Sequence, residues 1–275
     1  MKTLSKVYLD KACERTGRIA LSNGVAVAPA DNHPLAYESL AYVPQGPWRE
    51  VETDQLDDLL QTDHPADLRD HLAVVKLDQD TIELGRKIRI QYATSFGGLE
   101  QIIRSDIYAY NDFMAGIANF YTRYERTDTR RHKIGFDIGL ANQETTTINR
   151  DVNMKTGMHV DIWDNYNLHA AREATNRICI NLGREDRYFL YVNLTLDQVY
   201  ERVSQHPDFN TQVYRQGQLV QLFFKYFPAY PVNRVRVAPF EAYIAPTENL
   251  IHDGSTSGSK SCDITYTVRG DFQVA

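Results

Sequence analysis

The chain has 275 residues, 43% hydrophobic and 24% charged, enough to bury a substantial core as one large domain. A formal net charge of −6 argues against nucleic acid as a partner, and no window approaches the ~20 apolar residues of a membrane span. Three widely spaced cysteines (Cys13, Cys179, Cys262) form no C-x-x-C pair, which excludes a thiolate zinc framework and predicts a reducing, cytoplasmic setting.

Met1 to Lys6 run into charged positions instead of an apolar stretch, which predicts no signal peptide. Pro29, Pro34, Pro44 and Pro47 break any long helix in residues 1–50. Short helices are predicted over 52–60 and 65–75. The strongest helical signal spans 98–126, where Leu99, Ile103, Ile107, Tyr110, Phe113, Ile117, Phe120 and Tyr124 recur at three- and four-residue steps. The basic run Arg130, Arg131, His132, Lys133 reads as a solvated helix end. Strands are then predicted over 133–140, 145–148, 157–163, 177–182 and 188–194, with Cys179 and Cys262 as small buried hydrophobes. A helical interlude follows from Leu196 to about Phe227, and strands resume over 235–237, 241–245 and 263–269. This order predicts a single α+β domain: a mainly helical part over 1–131, and a β-rich core over 132–275 with a helical insertion at about 196–227. A sheet sandwich or barrel fits it; a βαβ parallel sheet does not.

Gly157-Met158-His159-Val160-Asp161 reads as a short strand whose alternation places His159 and Asp161 on one face. An imidazole and a carboxylate can then converge on one ion. Beyond the apolar run ending at Ala245-Pro246, His252 supplies a candidate third ligand. Two histidines and one carboxylate form the facial triad of non-haem Fe(II), with three positions open. Alone, an H-x-D pair is a weak signal, and His252 alone reads as a surface or capping histidine.

Taken together, His159-x-Asp161, the following strands, and Tyr243-Ile244-Ala245-Pro246 leading to His252 resemble the Fe(II)/2-oxoglutarate-dependent oxygenases. The resemblance covers roughly residues 132–272. It implies a double-stranded β-helix core, jelly-roll or cupin-like, with the helical front half packed outside it. It also implies Fe(II) held by His159, Asp161 and His252, 2-oxoglutarate and O2 as co-substrates, and succinate and CO2 as products. The expected client is a small polar metabolite such as an amino acid derivative or biosynthetic intermediate. With Asp161 present, hydroxylation, desaturation or cyclisation is expected over halogenation, because halogenating members carry a small residue there. A 2-oxoglutarate-independent metal oxidase or isomerase on the same barrel, or a non-enzymatic cupin-like binding protein, stays open as an alternative.

The distal carboxylate of 2-oxoglutarate needs a buried cation, preferably a guanidinium. Many members place it shortly after the second histidine, where this chain reads Ser259-Lys260-Ser261-Cys262-Asp263. Arg177, at the start of an early core strand, is the first candidate, since a branch it resembles, the JmjC-type oxygenases, carries its anchoring cation at about this place; Arg269, on the last strand beside Thr265 and Thr267, is the second, and Lys260 ranks behind them. The bland reading of either arginine is a surface charge on an exposed strand. His169 could face substrate from a loop, and Asn181 and Thr147 could reach co-substrate oxygens. The aromatic insertion over 207–231 offers a lid or a homodimer contact, with packing over the barrel as the default, and His206 needs no role.

Overall fold

The structure, a computed structural model, describes residues 5–29, 35–61, 67–126, 132–210 and 215–274. Arg130, Arg131 and Pro34 lie outside the described residues. Seven strands precede the first long helix: β1 (Val7–Leu9), β2 (Ile19–Leu21), β3 (Val25–Val27), β4 (Tyr42–Pro44), β5 (Arg49–Glu50), β6 (Leu60–Gln61) and β7 (Leu72–Lys76). A single short helix, α1 (Thr53–Leu59), separates β5 from β6. The expectation of a mainly helical 1–131 is therefore corrected, and the helix expected over 65–75 gives way to β7. Physically, most of these strands are two or three residues long, too short to display a period. In β7, Leu72, Ala73, Val74 and Val75 are all buried, so the run carries no alternation.

The next helix, over 79–87, is one the sequence pattern does not predict, whereas the helical signal over 98–126 is met. Asp78 caps α2 (Gln79–Lys87) by accepting from Thr81 N–H. The apolar stripe over 98–126 is divided between α3 (Phe96–Ser105) and α4 (Ile107–Thr122). The break falls at Asp106, which leaves helical geometry (φ −151°, ψ 81°) and caps α4 by accepting from Ala109 N–H. Phe113, Ile117 and Phe120 stay fully buried on the α4 face, each stabilising by about 1.5–3 kcal/mol.

The back half holds β8 (His132–Gly139), β9 (Ile148–Asn149), β10 (Met154–Lys155), β11 (Asn176–Asn181), β12 (Arg187–Thr195), α5 (Leu196–Ser204), α6 (Gln216–Tyr226), β13 (Asn233–Val237), β14 (Glu241–Ala245), β15 (Leu250–Ser255) and β16 (Asp263–Gly270). Thr195 and Gln198 close a capping box at the start of α5. The result is a mixed α/β architecture with a large sheet of order β6-β1-β7-β14-β11-β16-β8 and a second of order β15-β12-β13-β2-β5. From β11 onward the chain passes between the two sheets: β11 large, β12 and β13 small, β14 large, β15 small, β16 large.

Three buried clusters follow from this layering. Alternate residues of the large sheet (Ala73, Val75, Ile178, Ile180, Ile244, Val268) pack outward against α2 to α4. The opposite residues (Val74, Cys179, Tyr243, Ala245) meet Phe189, Tyr191, Val235 and Leu250 of the small sheet, so the two sheets enclose a common interior. The outer face of the small sheet is covered by α5 and α6 through Leu190, Val192, Val199, Leu219 and Phe223. The insertion over 196–227 therefore packs over the small sheet.

Candidate metal centre

The interior opens where β15, β11 and β16 meet residues 157–161. That segment runs extended but is not a strand, which corrects the expectation over 157–163. Gly157 sits at φ +70°, and a Cβ there would meet the Tyr42 carbonyl, so the chain turns before a ladder can form. Its backbone instead pairs with β15 at one bridge: His159 N–H donates to His252 O (3.0 Å) and His252 N–H to His159 O (2.7 Å). Asp161 N–H donates to Thr247 O (3.0 Å), fixing the third residue to the turn before β15. His252, read from sequence as lying beyond a strand, is within one.

These bonds bring His159, Asp161 and His252 together, with their ligand atoms within 4.8 Å of one another. His159 Nε2 lies 3.6 Å from Asp161 Oδ1, and His252 Nε2 lies 3.9 Å from Asp161 Oδ2. Ligand atoms each about 2.1 Å from one ion lie about 3 to 4.2 Å apart, so the spacing fits a single metal. The ring orientations fit as well. His159 Nδ1 is 2.7 Å from Gly157 O, and His252 Nδ1 is 3.1 Å from Leu250 O. With Nδ1 donating to a carbonyl, each Nε2 keeps its lone pair for the centre.

Asp253 supports this arrangement. It is fully buried, and its Oδ1 accepts from Thr146 N–H (3.2 Å), Thr147 N–H (3.1 Å), the Thr147 hydroxyl (2.9 Å) and Gly254 N–H (2.6 Å). Its Oδ2 has no hydrogen-bond partner among the described residues and lies 3.7 Å from His159 Nδ1. Thr147 thus holds a carboxylate behind the histidine and does not reach the centre.

The charges are those of the ion-free site. Burial opposes protonation of His159, but Asp161 and Asp253 outweigh it and raise its pKa to about 10, so an ion bound there displaces a proton from the ring. Burial pushes His252 down to about 4, only partly offset by Asp161. Burial would raise Asp161, yet Arg177 and the two histidines hold it well below the ordinary carboxylate range. A carboxylate ionised at neutral pH beside imidazoles is the donor chemistry that a divalent ion takes.

Arg177 and Arg269 are directly opposed on β11 and β16. Arg177 Nη2 donates to Asp161 Oδ2 at 2.6 Å, while its Nε is buried with no hydrogen-bond partner among the described residues. Arg269, only 2% exposed, donates through Nη2 to Glu248 Oε1 and to the Thr175 hydroxyl (2.7 Å). Its Nη1 is buried with no hydrogen-bond partner among the described residues, 4.0 Å from Asp161 Oδ2, and Trp163 covers the guanidinium at 5.5 Å. The surface-charge reading of Arg269 is excluded by that burial.

The remaining candidates fall away from the centre. His169 is exposed, with Nδ1 3.4 Å from Asp197 of α5. Asn181 is spent on the turn after β11, donating to Glu185 O and Val237 O and accepting from Gly183 N–H. Lys260 is exposed, and its backbone N–H meets Glu185. Cys262 precedes β16 and is only half-buried, while Cys179 is buried as expected. Sequence reading missed Arg187, a buried β12 residue 3.1 Å from Asp263 Oδ1 and 3.2 Å from Cys179 Sγ. A signal was present, because Arg187 is in phase with Phe189 and Tyr191, which face the interior. Gly254 leaves room for it: a Cβ there would collide with Thr146 and Arg187.

No family model matches the chain, and no curated protein matches it. Among solved structures it is similar to the apo form of the Kdo hydroxylase KdoO, a non-heme Fe(II) alphaketoglutarate dependent dioxygenase. Identity there is 10%, over 74% of this chain and 81% of that one, with a TM-score of 0.39. The complex of KdoO with succinate and Fe(III) matches at 9% identity and a TM-score of 0.38, with the same coverage. The iron and alpha-ketoglutarate-dependent endoperoxidase NvfI matches at 10% identity over 93% of this chain and 98% of that one, with a TM-score of 0.36. Likeness this loose transfers no role to any residue, so roles rest on the side chains themselves.

Proposed function

We propose that the chain is a non-haem Fe(II)/2-oxoglutarate-dependent oxygenase acting on a small polar molecule. The observation that carries this reading is the convergence of His159, Asp161 and His252 with both Nε2 atoms turned to one point. Strand order supports a double-stranded β-helix. Residues 157–161, β15, β12 and β13 form one wall, and β8, β16, β11 and β14 the other, with the chain alternating between them.

His159, Asp161 and His252 would hold Fe(II) on one face, leaving three positions open. Bound there, iron with 2-oxoglutarate and O2 supplies the oxidising power for a C–H bond, releasing succinate and CO2. The chain's own residues position and neutralise. Arg177 engages Asp161 Oδ2 and so leaves Oδ1 for the ion. Arg177 and Arg269 together form a cationic wall for an anionic co-substrate. Of the two, Arg269 is better suited to the distal carboxylate, because its unpaired Nη1 is already desolvated and costs no existing bond. Ile162 and Trp163, half or more exposed beside Asp161, form an apolar rim that sheds water from the opening. Asp161 occupies the place a halide would need, which favours hydroxylation, desaturation or cyclisation.

The test is anaerobic addition of Fe(II) and then 2-oxoglutarate, followed by visible absorption. A weak metal-to-ligand band that requires both, and succinate release on admitting air, is the expected result. Fe(II) binding with no response to 2-oxoglutarate would move the chain to a 2-oxoglutarate-independent metal enzyme on the same barrel.

A further inference from the structure

A second, unassigned cleft of about 320 Å³ lies on the outer face of the small sheet, on the side of that sheet away from the histidines. Its floor is Arg234, on β13. The guanidinium carbon lies 4.4 Å from the Trp48 ring centre and 4.5 Å from that of Tyr188, so two aromatic rings pack against the cation. Among the described residues no acceptor meets its N–H edge. Burial lowers its affinity for the proton, with Tyr188 and Glu50 only partly offsetting this. A guanidinium held against two rings at the lining of a cleft, with its donors not engaged by an acceptor among the described residues, suits a planar bidentate acceptor.

The other charges in the cleft define what else the ligand carries. Arg18 is consumed by Glu241, and Arg236 by Glu14 (2.7 Å) and Asp186 (3.6 Å). Glu50 lines the same cleft and has no ion pair among the described residues. One guanidinium fork and one carboxylate, in one row of the small sheet with Ala20 between them, complement a molecule with opposite charges at its two ends. A dianion would meet Glu50 and Glu14 unfavourably. We propose that this cleft is a second small-molecule site, selective for a compact zwitterion whose carboxylate lies on Arg234 and whose ammonium group faces Glu50.

The chain has two tryptophans, Trp48 and Trp163, so a Trp163→Phe background leaves Trp48 as the single fluorescent reporter. Glycine, acetate, succinate and inorganic phosphate are titrated in turn against sodium chloride at constant ionic strength. Glycine should give a saturable Trp48 response in the millimolar range, acetate a weaker one, and succinate and phosphate none beyond the salt control. Arg234→Gln should weaken the glycine response at least about tenfold, the loss of one charge-assisted bidentate pair. Arg234→Lys, which keeps charge and a half-buried stem, should fold and still lose most of it. Glu50→Gln should bring glycine down to the level of acetate. His159→Ala in the same background should leave the response intact, separating this cleft from the metal centre. An unchanged glycine response in both Arg234 variants, or saturation by phosphate as tight as by glycine, would overturn the assignment.

Discussion

The sharpest test of the candidate centre changes a residue that would not touch the metal. In Asp253→Asn the Oδ1 acceptor is kept, so the bonds from Thr146, Thr147 and Gly254 can persist and the fold should survive. The change falls at Oδ2, 3.7 Å from His159 Nδ1, where a carboxylate oxygen becomes an amide N–H₂. Donor then faces donor. The Nδ1 proton still has Gly157 O, but the charge that favoured it is gone and an N–H₂ now crowds it, so the ring turns and its lone pair leaves the centre. Losing a supporting carboxylate of this kind costs about 10–100-fold in metal affinity, or about 1.4–2.7 kcal/mol. The measurement is Fe(II) or Co(II) affinity by equilibrium dialysis, with urea unfolding of the metal-free protein as a control. A metal affinity within twofold of the parent, at equal stability, would refute the claim that Asp253 orients His159.

His252→Ala should abolish stoichiometric Fe(II) uptake while the metal-free chain stays folded, read by metal analysis and circular dichroism, since open catalytic sites are not usually the folding staple. Arg269→Ala should raise the 2-oxoglutarate constant by ~100-fold or more, because a buried carboxylate left unpaired costs ~3–5 kcal/mol, whereas Arg177→Ala should chiefly weaken metal binding; succinate release and dialysis separate the two. Glu241→Ala should cost about 3–5 kcal/mol in urea unfolding, since Arg18, buried beside β14, would be left without the carboxylate it meets at 2.6 Å. His71 accepts from Lys6 N–H through Nδ1 at 2.9 Å, and burial lowers its pKa below 6.5. Its contribution is therefore full above pH 6.5 and lost as pH falls through the depressed folded value, so His71→Asn should flatten that part of the stability–pH curve.

Much of the back half was legible because its signals are local. Strands β8, β11, β12, β13, β14 and β16 are five to nine residues long and rich in β-branched and aromatic residues, so they read as strands even where both faces are buried. Helices α5 and α6 fall within the expected insertion. The front half was not, for the reason β7 exemplifies: a strand buried on both faces reads as an unpatterned apolar run. Asp106 shows the converse case. An unbroken apolar stripe hides a helix boundary when the residue that ends one helix also caps the next.

The site was legible in part, and the division follows sequence separation. His159 and Asp161 lie two residues apart, so one backbone rule relates them; His252 could be related to them only through resemblance, since it bridges His159 only once the distant segments have folded together. The charges around the centre are harder still. Arg177 and Arg269 are neighbours only because β11 and β16 pair in one register, and a shift of one residue would turn either side chain out toward α3 and α4. Asp253 follows a proposed ligand directly, and by alternation it should point away from the interior. It does so, and the segment carrying Thr146, Thr147 and His159 lies against that side of β15 to receive it. A carboxylate on the outer face of a strand thus supports a histidine from a different segment. Alternation can place Asp253 on that face, but only the tertiary fold shows what it meets there.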